Sequence, residues 1–425
     1  MKRFLILLLL PIVIFPLSFD EAKHILKSKN INIQSSVKDL EIAKEKLYQS
    51  RASFFPSIRF QSTYTRLSTI PKITMPTPQG NMEVSMGQPD NYQNSLSITL
   101  PLFLSGQRRI IELLGEMGVR SSELNILKVQ REQENQLINL YFNLLLAKQG
   151  EKISKEALLR AKDHLKVTEM QFSEGRATDL DKLRAEKDVL DREASLIKAR
   201  NGVRSLYRAL NLILGFPVDS IYPVEENINA TIFESNPDSL VKSAIKNREE
   251  IKLMDIALRS SRMNKKLVAL SSMPSLVFAG NFTYNKPFNF ENTWGKSMNA
   301  TIALSFPIFQ GFSNIHKLKE AEKNVEKIQL NRHLISFAIE TEIKNLYGNL
   351  KESEQEITVQ KKNLESSKRA MKMAEEQYRQ GYISYTDYRD VEFGYEGAQF
   401  GYLSALFKFR VALELLKNAT KEEER

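Results

Sequence analysis

The chain contains no cysteine. That excludes disulfides, thiolate metal sites and lipid attachment through an N-terminal cysteine. Histidine is almost as scarce. Only His24, His164, His316 and His333 occur, none at metal-ligand spacing from another, and each reads as a solvent-facing position on a helix. No glycine-rich phosphate loop and no nucleophile elbow appears, so the residues offer no catalytic constellation and imply no cofactor. Proline is missing from residues 106–174 and again from 312–380, two gaps of 69 residues each. A continuous helix of that length would extend about 100 Å, more than few globular folds require.

Long apolar runs are also missing. Residues 1–18 carry Lys2 and Arg3, followed by an apolar stretch from Phe4 to Phe15. That is the pattern of a secretory signal peptide, with an approximate cut near Ser18, and it is too short to span a bilayer. The expectation is an exported chain without a transmembrane helix. The net charge of +10 is spread among acids, as in Glu41-Ile-Ala-Lys44-Glu45-Lys46. Such mixing marks solvated helix faces and argues against a nucleic-acid surface. Apolar residues recur at mixed threes and fours, as in Leu137, Leu140, Tyr141, Leu144 and Leu145, which is the seam of a coiled coil.

Four short segments break this helical pattern. Ile58, Phe60 and Tyr64 alternate with Arg59, Gln61 and Thr63, and Leu96, Ile98 and Leu100 alternate with Ser95, Ser97 and Thr99. Leu276, Phe278, Phe282 and Tyr284 share one face of a third segment. In the fourth, Met298, Ala300, Ile302, Leu304 and Phe306 oppose Ser297, Asn299, Thr301 and Ser305. One apolar and one small polar face is the signature of outer-membrane barrel strands; a soluble hairpin over a core is the other reading. The loop joining the first pair, Leu67 to Tyr92, is rich in proline and glycine and about 12 residues longer than its counterpart. Trp294, the only tryptophan, suits either an interfacial or a loop-packing role.

The chain also repeats itself. Asn139–Leu144 reads NLYFNL, and 206 residues later Asn345–Leu350 reads NLYGNL. At the same offset Pro101-Leu-Phe103 meets Pro307-Ile-Phe309, Gly175 meets Gly381, and Asp181 meets Asp387. This divides the chain into a signal peptide at 1–18, a first repeat at 19–215, a linker at 216–238 and a second repeat at 239–425. Each repeat is expected to run helix, strand pair, long helix, helix. The first has a helix at 20–52, strands near 57–66 and 94–103, and helices at 106–174 and 178–214. The second has a helix at 239–272, strands near 275–284 and 297–309, and helices at 312–380 and 384–419. The two short helices of a repeat together match the long one, which suggests end-to-end stacking beside it, with turns at Gly175 and Gly381. The fold class is therefore mainly α with a small membrane β part. Four strands cannot close a barrel, so copies of the chain must share one.

At this point the chain resembles the TolC family of outer-membrane efflux proteins. The resemblance is carried by Leu17-Ser-Phe-Asp-Glu-Ala22, Ser50-Arg-Ala-Ser-Phe-Phe-Pro56, Pro101-Leu-Phe-Leu-Ser-Gly106, Asn247-Arg-Glu-Glu250, Pro307-Ile-Phe-Gln-Gly311 and Gln377-Tyr-Arg-Gln-Gly-Tyr-Ile-Ser-Tyr-Thr-Asp387. It implies a homotrimer, a shared barrel continuing into a periplasmic helical tunnel, partnership with a periplasmic adaptor and an inner-membrane pump, and no catalysis. It further implies that Asp387 and Asp390 ring the periplasmic entrance, and that Tyr378 and Asp181 hold it closed, through a hydrogen bond between them. Where the family has an arginine two residues past the glycine, this chain has Ile383. A soluble periplasmic adaptor or structural coiled-coil protein, also built from long helical hairpins, is the alternative.

Overall fold

The structure, a computed structural model, describes residues 16–78, 80–85, 87–225, 235–289 and 291–420. The signal-peptide residues 1–15 and part of the linker, 226–234, lie outside that set. In chain order the elements are α1 (Phe19–Lys29), α2 (Ile31–Ala52), β1 (Ser57–Arg66), β2 (Lys72–Thr77), β3 (Gly80–Ser85), β4 (Asp90–Phe103), α3 (Gln107–Ser173) and α4 (Asp179–Leu214). The second half supplies α5 (Pro237–Asn247), α6 (Glu249–Leu270), β5 (Ser275–Lys286), β6 (Gly295–Ser305), α7 (Ser313–Arg379) and α8 (Tyr385–Thr420). Compactness cuts across the repeats. One unit comprises Met1–Lys38, Leu124–Lys252 and His333–Arg425, and the other Asp39–Glu123 and Leu253–Arg332.

The second of these units holds a four-stranded antiparallel sheet in the order β1-β4-β5-β6. Its register places whole rows of like residues side by side. Phe60 pairs with Leu96, Leu96 with Phe282, and Phe282 with Met298. The adjacent row is Arg59, Ser97, Asn281 and Asn299, and the next polar row is Gln61, Ser95, Thr283 and Ser297. Because side chains alternate along a strand, one face is apolar and the other hydroxyl- and amide-bearing. The apolar face is uncovered: Phe60 is 68% exposed, Met298 82% and Leu304 72%. Aromatics gather at one end, where Trp294 stacks on Tyr284 at 4.8 Å and lies near Tyr92, itself 5.0 Å from Tyr64.

Two strand expectations need correction. The long loop contains a separate hairpin, β2 with β3, which accounts for its extra length. The fourth strand, expected to reach residue 309, ends at Ser305, two residues before Pro307, which has no amide hydrogen to donate to a ladder. Both strand-to-helix corners use a pair of left-handed residues, Ser105 and Gly106 in one repeat, Gly311 and Phe312 in the other. Glycine occupies opposite members of the pair, so the corner repeats where the sequence does not.

The other unit has two equivalent apolar cores. Leu137, Tyr141, Leu144 and Leu145 of α3 pack with Leu26, Leu210 and Leu214, and Ile343 and Leu350 of α7 pack with Leu240, Leu413 and Leu416. The repeated NLY-NL segments thus sit at the centre of each core. Tyr141 also donates its hydroxyl to the carbonyl of Leu17 at 2.9 Å.

The short helices expected at 20–52 and 239–272 are each broken, at Asn30 and Arg248, where the backbone turns extended. Asn30 is buried; its amide donates to Gln133 at 3.0 Å and to the Ile213 carbonyl at 2.8 Å, while its carbonyl oxygen caps Ile33 N at 3.1 Å. Arg248, equally buried, instead pairs with Glu342 at 2.5 Å, beside Arg131, which binds Glu249 and Glu250. Helical periodicity runs through both breaks, which is why only tertiary partners reveal them. Asn30→Ala removes three buried hydrogen bonds. It should lower stability by about 1–3 kcal/mol, read as a lower urea midpoint of helical ellipticity. An unchanged midpoint would show that the break is held by packing alone.

Candidate functional site at the helical turns

The ends of the two hairpins, α3–α4 and α7–α8, share one turn design. Gly175 and Gly381 adopt φ of +70° and +77°, a conformation that side chains disfavour. Beyond each, the amide of the next residue reaches back five positions, Arg176 to the Gln171 carbonyl at 2.8 Å and Tyr382 to Gln377 at 2.9 Å. Two residues later the next helix begins with a reciprocal cap. Thr178 accepts from Asp181 N at 3.2 Å while the Asp181 carboxylate accepts from Thr178 N at 3.0 Å and Oγ1 at 2.6 Å. Ser384 and Asp387 repeat the arrangement at 3.2, 3.2 and 2.7 Å. These hydrogen bonds pull both carboxyls below their usual pKa, so both stay charged.

Asp181 and Asp387 are therefore equivalent helix-starting residues before anything else. Asp390, one turn further, is exposed and has no partner among the described residues. Ile383 is half-buried at the position preceding the cap, where an apolar residue fixes the entry angle of a helix.

The hydrogen bond between Tyr378 and Asp181 that the resemblance implies is not made in this structure. The Tyr378 hydroxyl lies 3.0 Å from His164 Nε2. The physical reason is that Asp181 is already engaged by its own helix start, whereas α3 presents an imidazole to α7. Nor does His164 face solvent: its ring packs edge-on against Tyr385 at 3.6 Å, and Thr168 Oγ1 lies 3.0 Å from Nδ1. Burial lowers the His164 pKa, with Asp188 pulling in the opposite direction. Tyr378 stacks on Tyr388 at 5.1 Å, and burial raises the pKa of both phenols, Tyr388 to about 12.

Below this aromatic group lies an ion cluster joining the hairpins. Arg160 binds Glu392 at 2.5 Å and Glu396 at 2.6 Å; Arg192 binds Glu396 at 2.5 Å. Asp188 accepts from the Tyr385 hydroxyl at 2.8 Å and lies 3.2 Å from Arg389. Arg192 also lies over the Phe393 ring at 4.3 Å. Asp188 and Glu392 are almost fully buried, and burial raises the Glu392 pKa against the pull of Arg160. Removing one partner from such a cluster costs about 3–5 kcal/mol.

Sequence reasoning missed these residues, although a signal for them exists in the repeat. At the offset of 206, Arg160, His164, Asp188 and Arg192 correspond to Ser366, Ala370, Gly394 and Ala398. A charge in one copy facing a small residue in the other marks a contact that the repeat does not share. Among the described residues no metal-holding group of acidic, histidine or cysteine side chains occurs, and no helix is long and apolar enough to cross a membrane.

The outer membrane efflux protein family matches residues 24–216 and 240–420, most of both repeats. The alkaline protease secretion protein AprF of Pseudomonas aeruginosa is 21% identical over 333 residues, 76% of this chain and 67% of that one. The Campylobacter jejuni CmeC outer membrane channel shares the fold with a TM-score of 0.77 at 17% identity, over 95% of this chain and 85% of its own. A membrane protein from Pseudomonas aeruginosa does so at 0.76 and 17%, over 95% and 93%. With the family pattern covering both repeats and the fold shared along nearly the whole chain, this protein belongs to the outer membrane efflux protein family.

Proposed function

We propose that three copies of this chain pool their sheets into one twelve-stranded barrel, and that their helices continue it as a periplasmic tunnel fed by an adaptor and an inner-membrane pump. The observation that carries this reading is the sheet, which has one bare apolar face, one polar face, and two outer strands, β1 and β6, paired on one side only among the described residues. Open strand edges are not tolerated in hydrocarbon, and neighbouring copies can close them. The protein acts as a conduit for the solutes that the adaptor and pump deliver to it. Chemical cross-linking in mild detergent should reach a limit of three chains. A monodisperse monomer that keeps its strand content would overturn the trimer.

Asp387 and Asp390, repeated by symmetry, would then place negative charge around the periplasmic entrance. A narrow opening lined by one sign favours ions of the other. Replacing both by Asn should lower the cation-to-anion permeability ratio in planar bilayers by about threefold or more. Unaltered selectivity would leave the two acids as helix-start residues only.

Closure in this reading depends on the hairpin seam, and His164 makes that seam pH-sensitive. The ring is faced by Tyr378 from α7, by Tyr385 from α8 and by Thr168 on its own helix, and Asp188 from α4, which accepts from the Tyr385 hydroxyl, acts on it electrostatically. Its packed state favours the neutral ring, so the seam is strongest above the ordinary histidine pKa of about 6.5 and loosens as pH falls below it. Glu392, whose pKa is raised, shifts in the opposite sense, so the control is a change at His164 itself. Resting conductance should rise on acidification from pH 7.5 to 5.5, and His164→Gln should flatten the profile. An identical profile in that variant would assign the pH response elsewhere.

A further inference from the structure

Arg59 is the one charged residue within the body of the sheet. The other charged strand residues, Arg66, Asp90, Lys286 and Lys296, all stand at the end where the aromatics gather. There Arg66 lies 3.8 Å from Asp90. Arg59 instead sits three residues into β1, on the face of Ser57, Gln61 and Thr63, opposite Ser97 and in row with Asn281 and Asn299. None of those neighbours carries charge, and the Arg59 guanidinium has no acidic partner among the described residues. Its row lies next to the apolar row Phe60, Leu96, Phe282 and Met298, which points to the opposite side.

A guanidinium without a counter-charge is tolerated within a membrane-spanning sheet only where water reaches it. The polar face must therefore be wet at that depth, and an unneutralised cation in a wet, walled space attracts anions. We infer that Arg59 is a specificity-determining residue: in the assembled barrel it forms a basic ring in the lumen that favours passage of anionic solutes, those bearing carboxylate, phosphate or sulfate groups. The inference rests on the pooled-barrel reading. Neutral amides and hydroxyls around it supply hydrogen bonds without competing charge, and the guanidinium's planar donors suit oxyanions.

The absence of native cysteine makes a clean test possible. In full-length protein reconstituted in planar bilayers under a KCl gradient, Arg59→Gln should raise the cation-to-anion permeability ratio about twofold. It should also weaken the effect of added inorganic phosphate on chloride current. Arg59→Cys should react with water-soluble methanethiosulfonates. A cationic reagent should restore the wild-type ratio, and an anionic one should move it further toward cations. Trimers that conduct normally but show no change with Arg59→Gln or with either reagent would overturn the basic ring and leave the barrel intact. Reaction of the cysteine only with a lipid-soluble maleimide would overturn the assignment of faces. Absence of any pore in the wild-type protein would overturn the barrel and this inference with it.

Discussion

A strand that lies in hydrocarbon can satisfy its backbone N–H and C=O groups only against another strand, because neither lipid nor water offers partners there. In the proposed barrel the four-stranded sheet of one chain is therefore incomplete by itself, because β1 and β6 are each paired on one side only among the described residues. Much else in the molecule follows from that deficit. In that proposal the bare apolar rows are covered by lipid, and the rows of hydroxyls and amides face the wet interior. In the same proposal the internal repeat makes each copy contribute two similar pairs of strands, so that a closed ring needs fewer chains.

The repeat is faithful in backbone and unfaithful in its seams. Both corners into the long helices use two left-handed residues, and both hairpin turns pair a glycine with a reciprocal Thr/Asp or Ser/Asp cap. Yet the helix breaks are solved by an amide at Asn30 and by an ion network at Arg248. The turn region goes further, with arginines and a histidine from the first repeat meeting tyrosines and glutamates from the second. Buried ion clusters contribute little net stability over apolar packing, since desolvation offsets the attraction. Their effect here is on alignment: sliding either hairpin would leave Glu392 buried without its arginines and take Arg389 away from Asp188.

The amphipathic rows and the long proline-free stretches were legible residue by residue because both rest on local periodicity, two for strands and about 3.6 for helices. The 67-residue helices α3 and α7 accordingly fall within two residues of the expected limits. The β2–β3 hairpin escaped notice because proline and glycine in that loop mask a short ladder, and the break at Arg248 because a charged residue looks helical until its partners are known.

By itself the sequence determined the duplicated plan, the strand faces, the glycine turns and the family, since each depends on spacing along the chain or on the order of short motifs. Only the tertiary structure decided that Tyr378 meets His164 and not Asp181, and that Asp181 and Asp387 are spent first on capping their helices. It also decided that Arg160, Asp188 and Arg192 lie in a buried seam instead of on solvated faces. The reason is that a side chain's partner across 200 residues is set by which helix faces pack together. Helical periodicity states that a face exists but not what it will touch.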